Sequence, residues 1–358
     1  MVYDKQALLN HVNRIRREIG HEEVDIAIKE IVYNRNSNEM WVITDDRPDK
    51  SAVIGKGGWV VGRLREELGI NSIHVESYSD YITKKYRMEL SLKRLKSFVK
   101  SSDLDGDSFL ALNNLIDILS IKLENLYSFD FTSYFNDLDN SEYSYFEAKK
   151  PTAIIALSGG TDSSFSLILA KKLGFNPIAV TVDPGTIVLP KQFKYNIDKL
   201  TKELDVKHEY IPVNYDDIIE DAFSGRFHPC GRCSKVIEET LYNYAIDNGI
   251  PMVIFGDMLA TGSQCINEQK IDGNEDKRII RLNLPAALAV AKLENKSLTK
   301  NYDLNKFKGF GCPLLYEVHK KFPHMKKYSI QRILRETRSS ALEPGEALDL
   351  IWSFYNTD

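Results

Sequence analysis

A chain of 358 residues, 43% apolar and 27% charged, has room for two or three domains at roughly 100–200 residues each. These fractions exclude wholesale disorder and a coiled coil, and four cysteines are too few for a disulfide scaffold. Net charge is only −4, so total charge gives no reason to expect nucleic acid; with no apolar run near ~20 residues and no signal-peptide layout at the start, a cytoplasmic protein is expected.

Residues 5–19 space Leu8, Leu9, Val12, Ile15 and Ile19 as one face of a helix, and Gly20 stops it. Two extended runs follow at 25–32 and 40–44, with the polar 34–38 cluster as the turn between them. Val53 and Ile54 are taken as the end of an apolar strand leading into Gly55-Lys56-Gly57-Gly58, after which come a helix to Leu68 and a short strand at 73–75. Glycines at such a turn present bare backbone N–H groups and Lys56 adds charge, so a nucleic acid backbone can approach closely. Residues 24–76 resemble the KH RNA-binding module, which implies that Gly55, Lys56, Gly57 and Gly58 clamp RNA. The plainer alternative is a glycine turn on a purely structural module.

Residues 78–99 are expected to form a long basic helix leading away from that module. Between Tyr81 and Lys100 stand seven Lys/Arg against one Glu, and Lys84, Lys85, Arg87, Lys93 and Arg94 are its candidate RNA contacts. A solvated Lys-rich face is the competing explanation. From 101 to 150, ten acids against three bases mark an acidic, partly helical inter-domain segment. Asp103, Asp105 and Asp107 imitate a calcium loop, but Gly106 falls at the fourth place and no Glu closes the twelfth, so that reading fails. A second basic stretch, residues 306–338, has nine bases against two acids.

From Pro151 strands and helices alternate: strands at 153–157, 177–182, 207–213 and 252–255, helices at 164–173, 197–204 and after Cys233. Such alternation implies parallel βαβ units, hence a doubly wound α/β sheet whose ligand lies beyond the carboxyl ends of its strands. The organisation expected is therefore a smaller α+β module with its basic helix over 1–100, a segment over 101–150, and the α/β domain over 151–358.

At the end of the first of these strands stands Ser158-Gly159-Gly160-Thr161-Asp162-Ser163-Ser164, opening a helix. Tight glycine turns, backbone N–H groups and hydroxyls at a helix N-terminus make an anion site, and the Walker pattern is absent. Ser-Gly-Gly-x-Asp-Ser resembles the PP-loop of the N-type ATP pyrophosphatases. The resemblance implies that Ser158 to Ser164 hold the pyrophosphate of ATP, that Val182 and Asp183 at the second strand end lie near adenine, and that Mg²⁺ or another base supplies the charge of a Lys found in some relatives at the place of Thr161.

Cys230-Gly-Arg-Cys233 stands before the later helix and Cys312 in Gly-Cys-Pro far downstream; soft thiolates suit iron–sulfur or zinc. Within the superfamily this set resembles the tRNA 2-thiolation enzymes, which implies a 4Fe-4S cluster on Cys230, Cys233 and Cys312 with one iron open to sulfide; a catalytic persulfide and a zinc site stay open. Cys265 reads as a buried apolar residue, and His228 as a loop residue. Gly256-Asp257 through Ser263-Gln264 is similar to a segment of the 4-thiouridine synthetases. Asp162 or Asp257 is expected to help hold Mg²⁺, Gly256 lies near the nucleotide in this reading, and Lys235 is placed to neutralise developing charge.

The function expected is an ATP-dependent RNA sulfurtransferase: a nucleobase oxygen is adenylated and replaced by sulfur. Its partners would be RNA, most naturally tRNA, and sulfide or another sulfur donor, with no membrane and with a homodimer left open. The alternatives are a PP-loop ligase or amidotransferase acting on a small metabolite, and a KH adaptor with a degenerate nucleotide domain.

Overall fold

The computed structural model describes residues 4–102, 106–139, 150–271, 274–305 and 310–355. The aspartate run at 103–107 and the acidic stretch at 140–149 lie largely outside them. The chain divides into two compact units, Met1–Tyr86 and Arg87–Asp358.

The first unit opens with a helix, Lys5–Glu18, capped where the Asp4 carboxylate accepts from Ala7 N (2.9 Å). It buries Leu8, Val12 and Ile15, the stripe that three-to-four spacing demands. β1 (Ile28–Asn34) pairs antiparallel with β2 (Glu39–Thr44), and β2 pairs parallel with β3 (Ser72–Ser77). Two parallel neighbours require a crossover. It is built from a helix at Arg47–Ile54, a one-turn 3-10 segment at Lys56–Gly58 and a helix at Trp59–Leu68. Val53 and Ile54 thus close a helix rather than a strand: the Asp46 carboxylate caps its start by accepting from Asp49 N (3.1 Å), and Pro48 sits in its first turn. Val53, Val60 and Leu64 pack with Met40, Val42 and the first helix in one core.

The second unit carries a six-stranded sheet in the order β6-β5-β4-β7-β9-β8, from β4 (Thr152–Ala156), β5 (Asn176–Asp183), β6 (His208–Pro212), β7 (Met252–Phe255), β8 (Ile266–Ile271) and β9 (Asn274–Asn283). Five strands are parallel and β8 runs antiparallel at one edge, a hairpin the alternating pattern did not foretell. Both faces are covered: Ala153 and Ile155 point into one apolar cluster, Ile154 between them into another. Strand order reverses between β4 and β7, so a crevice opens beyond their carboxyl ends.

The expected boundary at residue 100 is corrected. The basic helix is one element, Tyr78–Ser101, and the division falls inside it, at Tyr86. Leu95 and Phe98 are buried in the same cluster as β4, and so are Leu112, Leu115, Ile118 and Leu119 of the Gly106–Glu124 helix, which is therefore part of the second unit's core. Arg87 and Arg94 are corrected with it. Arg87 is buried, donating to the carbonyls of Ser339 (2.9 Å) and Met258 (2.5 Å), and burial pushes its guanidinium down to about 10. Arg94 Nε donates to Ile266 O (2.9 Å). Both side chains satisfy backbone acceptors; Lys85 and Lys93 are exposed and Lys84 is half-buried.

Arg87→Ala strips a buried carbonyl, Met258 O, and a half-buried one, Ser339 O, of their donor, at a cost of about 1–3 kcal/mol. The expected outcome is a fall of several degrees in the unfolding temperature of the second unit, read by calorimetry, with Lys93→Ala leaving it unchanged.

Candidate nucleotide and thiol site

The Ser158–Ser163 loop leaves β4 and turns at once into the Thr161–Lys172 helix, whose N-cap is Gly160. Gly159 has φ +74, and a Cβ there would lie 2.5 Å from the carbonyl oxygen of Phe193, so both conformation and space require glycine. The Ser163 hydroxyl donates to Gly160 O (3.0 Å), accepts from Ser158 N (3.2 Å) and meets the Ser158 hydroxyl (3.1 Å). The loop is thus tied to itself with the helix N-terminus behind it, the polarity that favours an anion. Thr161 is exposed. Ser164 is buried, and its hydroxyl finds no hydrogen-bond partner among the described residues.

Gly256 ends β7 against this first turn: a Cβ there would come within 3.0 Å of Asp162 C and Ser163 N. Beyond the strands lies a cavity of about 510 Å³, polar at Ser158 and Gly160 and apolar at Val180, Val182 and Leu241, which is the polarity a nucleotide needs: phosphate at one end, base at the other. Val182 lines it. Asp183 does not; its carboxylate pairs with Lys194 and accepts from Gly185 N (3.1 Å).

Asp162 is held by Lys292 Nζ on one oxygen and by Asn295 Nδ2 (2.8 Å) on the other; Lys292 also stands 3.9 Å from Glu336. Neither Lys292 nor Asn295 was legible as a site residue, since 130 residues separate Asp162 from Lys292 and no short motif joins them. Asp257 is ion-paired to Arg281 (2.7 Å), which also binds Glu238 (2.9 Å) and the Tyr242 hydroxyl (3.0 Å) and lies over the Phe255 ring. Lys235 falls on an exposed helix face, paired with Glu239 one turn on (3.6 Å), and does not line this cavity.

The C-x-x-C lies inside a helix, Pro229–Asp247, in its first turn, and not in the loop before it. Cys230 and Cys233 share a helix face, and Cys312 caps the start of a second helix, Pro313–Lys321. Gly311, at φ +87, precedes it; a Cβ there would strike Leu315 at 2.5 Å. The three thiols feel one another: burial first, then the neighbouring thiols, push Cys233 up to about 12 and Cys230 up to about 11, with Arg332 opposing the rise at Cys230. Burial raises Cys312 also. Tyr215, buried beside them, donates to Cys233 O (3.2 Å). Among the described residues, no three His, Cys, Asp or Glu side chains are grouped tightly enough to hold a metal ion. In kind the donors fit a soft, cationic group: three gathered thiols, raised by burial and mutual repulsion, lose their protons once positive charge arrives.

Cys265 stands apart in the core, its thiol 3.9 Å from Ser91 O. His228 caps the Cys230 helix; its Nε2 is buried without a partner, and burial and Arg332 push its pKa down. A second cavity of about 470 Å³ joins Asp162 and Cys230 to Arg335 and Glu336. Asp257 and Arg332 line both cavities, so the phosphate loop and the thiols open onto adjoining spaces. In the first unit Gly55, Gly57 and Gly58 have φ +72, +64 and +78, with Lys56 exposed among them.

No family model matches the chain. A U34-tRNA thiolase NcsA from Methanococcus maripaludis, with its 4Fe-4S cluster, is similar in structure at 16% identity and a TM-score of 0.35, covering 58% of this chain and 72% of that one; at that score the likeness carries no argument. A tRNA-specific 2-thiouridylase, MnmA 2 of Clostridium botulinum, is 28% identical over 144 residues, 37% of this chain and 38% of that protein. The match thus spans under two fifths of the thiouridylase. The uncharacterized protein MJ1638 of Methanocaldococcus jannaschii is 36% identical over 210 residues, which is 58% of this chain and 76% of that protein. With three quarters of the other protein matched at this identity, the chain belongs to the family of Methanocaldococcus jannaschii MJ1638.

Proposed function

We propose that the chain is an ATP-dependent RNA sulfurtransferase, with tRNA as its substrate and the first unit as its RNA-binding module. The observation that carries this reading is the adjoining pair of cavities, one floored by the Ser158–Ser163 loop and the other by Cys230, with Asp257 and Arg332 common to both. The likeness to a tRNA-specific 2-thiouridylase supports it.

In this reading the loop N–H groups and the helix N-terminus hold the ATP phosphates, and Val180 and Val182 cover the adenine. Asp162 would be the residue to hold Mg²⁺, and Lys292 supplies the cation that Thr161 leaves out. A nucleobase carbonyl oxygen attacks the α-phosphate and pyrophosphate leaves. Sulfide then adds at the activated carbon and AMP departs, its developing charge met by Arg332. When bound by Cys230, Cys233 and Cys312, a 4Fe-4S cluster would supply an open iron on which sulfide is held. A cluster spans more space than a single ion, which suits thiols that are gathered but not closed around one point.

Asp162→Ala and Lys292→Met should each lower RNA-dependent AMP release at least about a hundredfold, with the fold intact by circular dichroism. AMP formation at the wild-type rate in both would sink the assignment. Protein purified without oxygen should be brown, and Cys230→Ala, Cys233→Ala and Cys312→Ala should each lose iron while Cys265→Ala keeps it. Stoichiometric zinc in place of iron would point to a structural site and to the small-metabolite alternative. For the first unit, Lys56→Asp with Gly57→Asp puts two negative charges where an RNA backbone would lie. Affinity for single-stranded RNA should fall, and its salt dependence, about −0.7 per phosphate contact, should become shallower while ATP binding holds.

A further inference from the structure

We propose that Trp59 is a stacking platform for a nucleobase of single-stranded RNA whose backbone follows the Lys56–Gly58 turn. The proposal rests on the RNA reading of the first unit and names the residue that grips the base. Of the three tryptophans, Trp41 is 7% exposed and Trp352 54%, whereas Trp59 is 70% exposed, at the first position of its helix. So large an apolar ring left in water invites a partner, and its surroundings say which kind.

The indole leans back over the turn: a Cβ on Gly57 would lie 3.6 Å from Trp59 Cδ1. Between ring and backbone there is accordingly no side chain, because Gly57 and Gly58 are both left-handed glycines. One helical turn further along stands Gly62, and a Cβ on either Gly58 or Gly62 would find nothing within 4 Å. That is open room beside an aromatic face. Its charged neighbours in the chain are cations: Lys56 is exposed before the glycines, and Arg63 lies one turn below Trp59, paired with Glu67 (3.3 Å). A protein partner would ask for a contiguous apolar patch, yet Val60, next in the chain, is fully buried. One exposed ring, a glycine turn without side chains and flanking cations match a base with its phosphate instead. Every base has a π-face, so such a platform contributes affinity with little sequence preference.

The test uses the full-length chain and a fluorescein-labelled, mixed-sequence 12-nucleotide RNA, read by anisotropy across a salt titration. Trp59→Ala should weaken binding on the order of ten- to a hundredfold while the salt slope stays that of the wild type, because stacking releases no counterions. Trp59→Phe should restore most of the affinity, which separates stacking from misfolding. In a Trp352→Phe background, RNA should quench the indole emission, and the further change Trp59→Phe should abolish that quenching. Wild-type affinity in Trp59→Ala, with emission indifferent to RNA, overturns this inference and leaves the RNA reading standing. A wild-type chain that fails to bind the RNA even at low salt overturns the RNA reading and this inference with it.

Discussion

Two close approaches of backbone to backbone set the geometry of the second unit. Gly159 lies against the Phe193 carbonyl, and Gly256 against the peptide joining Asp162 to Ser163. The first leaves no room for a methyl group, and the second would make the neighbouring backbone give way to one. Together they fix the loop that enters the Thr161–Lys172 helix and the first turn of that helix, and with them where its free N–H groups point and where Asp162 projects. The ion pair to Lys292, the cavity floor at Ser158 and Gly160 and the position of the thiols relative to both follow from that constraint.

Charge in the crevice is arranged as alternating partners. Lys292 bridges Asp162 and Glu336, Arg281 bridges Asp257 and Glu238, and Arg332 faces Cys230 and approaches Glu336 at 3.5 Å. Each acid is compensated as it stands, which keeps a concave, partly dry site from repelling itself apart. Under the proposed function, a nucleotide entering the crevice would have to exchange partners with these side chains, and a site that exchanges ion pairs discriminates by charge geometry as well as by shape.

Much of this was legible in the sequence because it is local. The amphipathic stripe of Leu8, Val12 and Ile15, the glycine turn at 55–58, the strand-loop-helix around Ser158 and the alternation beyond it each declare themselves within a dozen residues. What was not legible depends on distant partners. Val53 and Ile54 beside a glycine imitate a strand end, and only the cap from Asp46 makes them close a helix. Arg87 and Arg94 belong to a basic run whose purpose looked electrostatic, yet they answer carbonyls at Ser339, Met258 and Ile266 that no local pattern reveals. The pairing of β8 against β9, and of Lys292 with Asp162, needed the fold itself.

The thiols differ in one respect that has a practical side. Cys230, Cys233 and Cys312 are partly accessible, whereas Cys265 is wholly enclosed against the long helix, at Ser91 O. A small alkylating reagent therefore meets two kinds of sulfur in one chain. Cys230 and Cys312, which line the two cavities, report on what occupies the crevice, since anything bound there shields them. Cys265 reacts only when the core itself opens, so its labelling rate is an internal clock for the breathing of the second unit. Occupancy and opening can thus be followed side by side in a single mass spectrum.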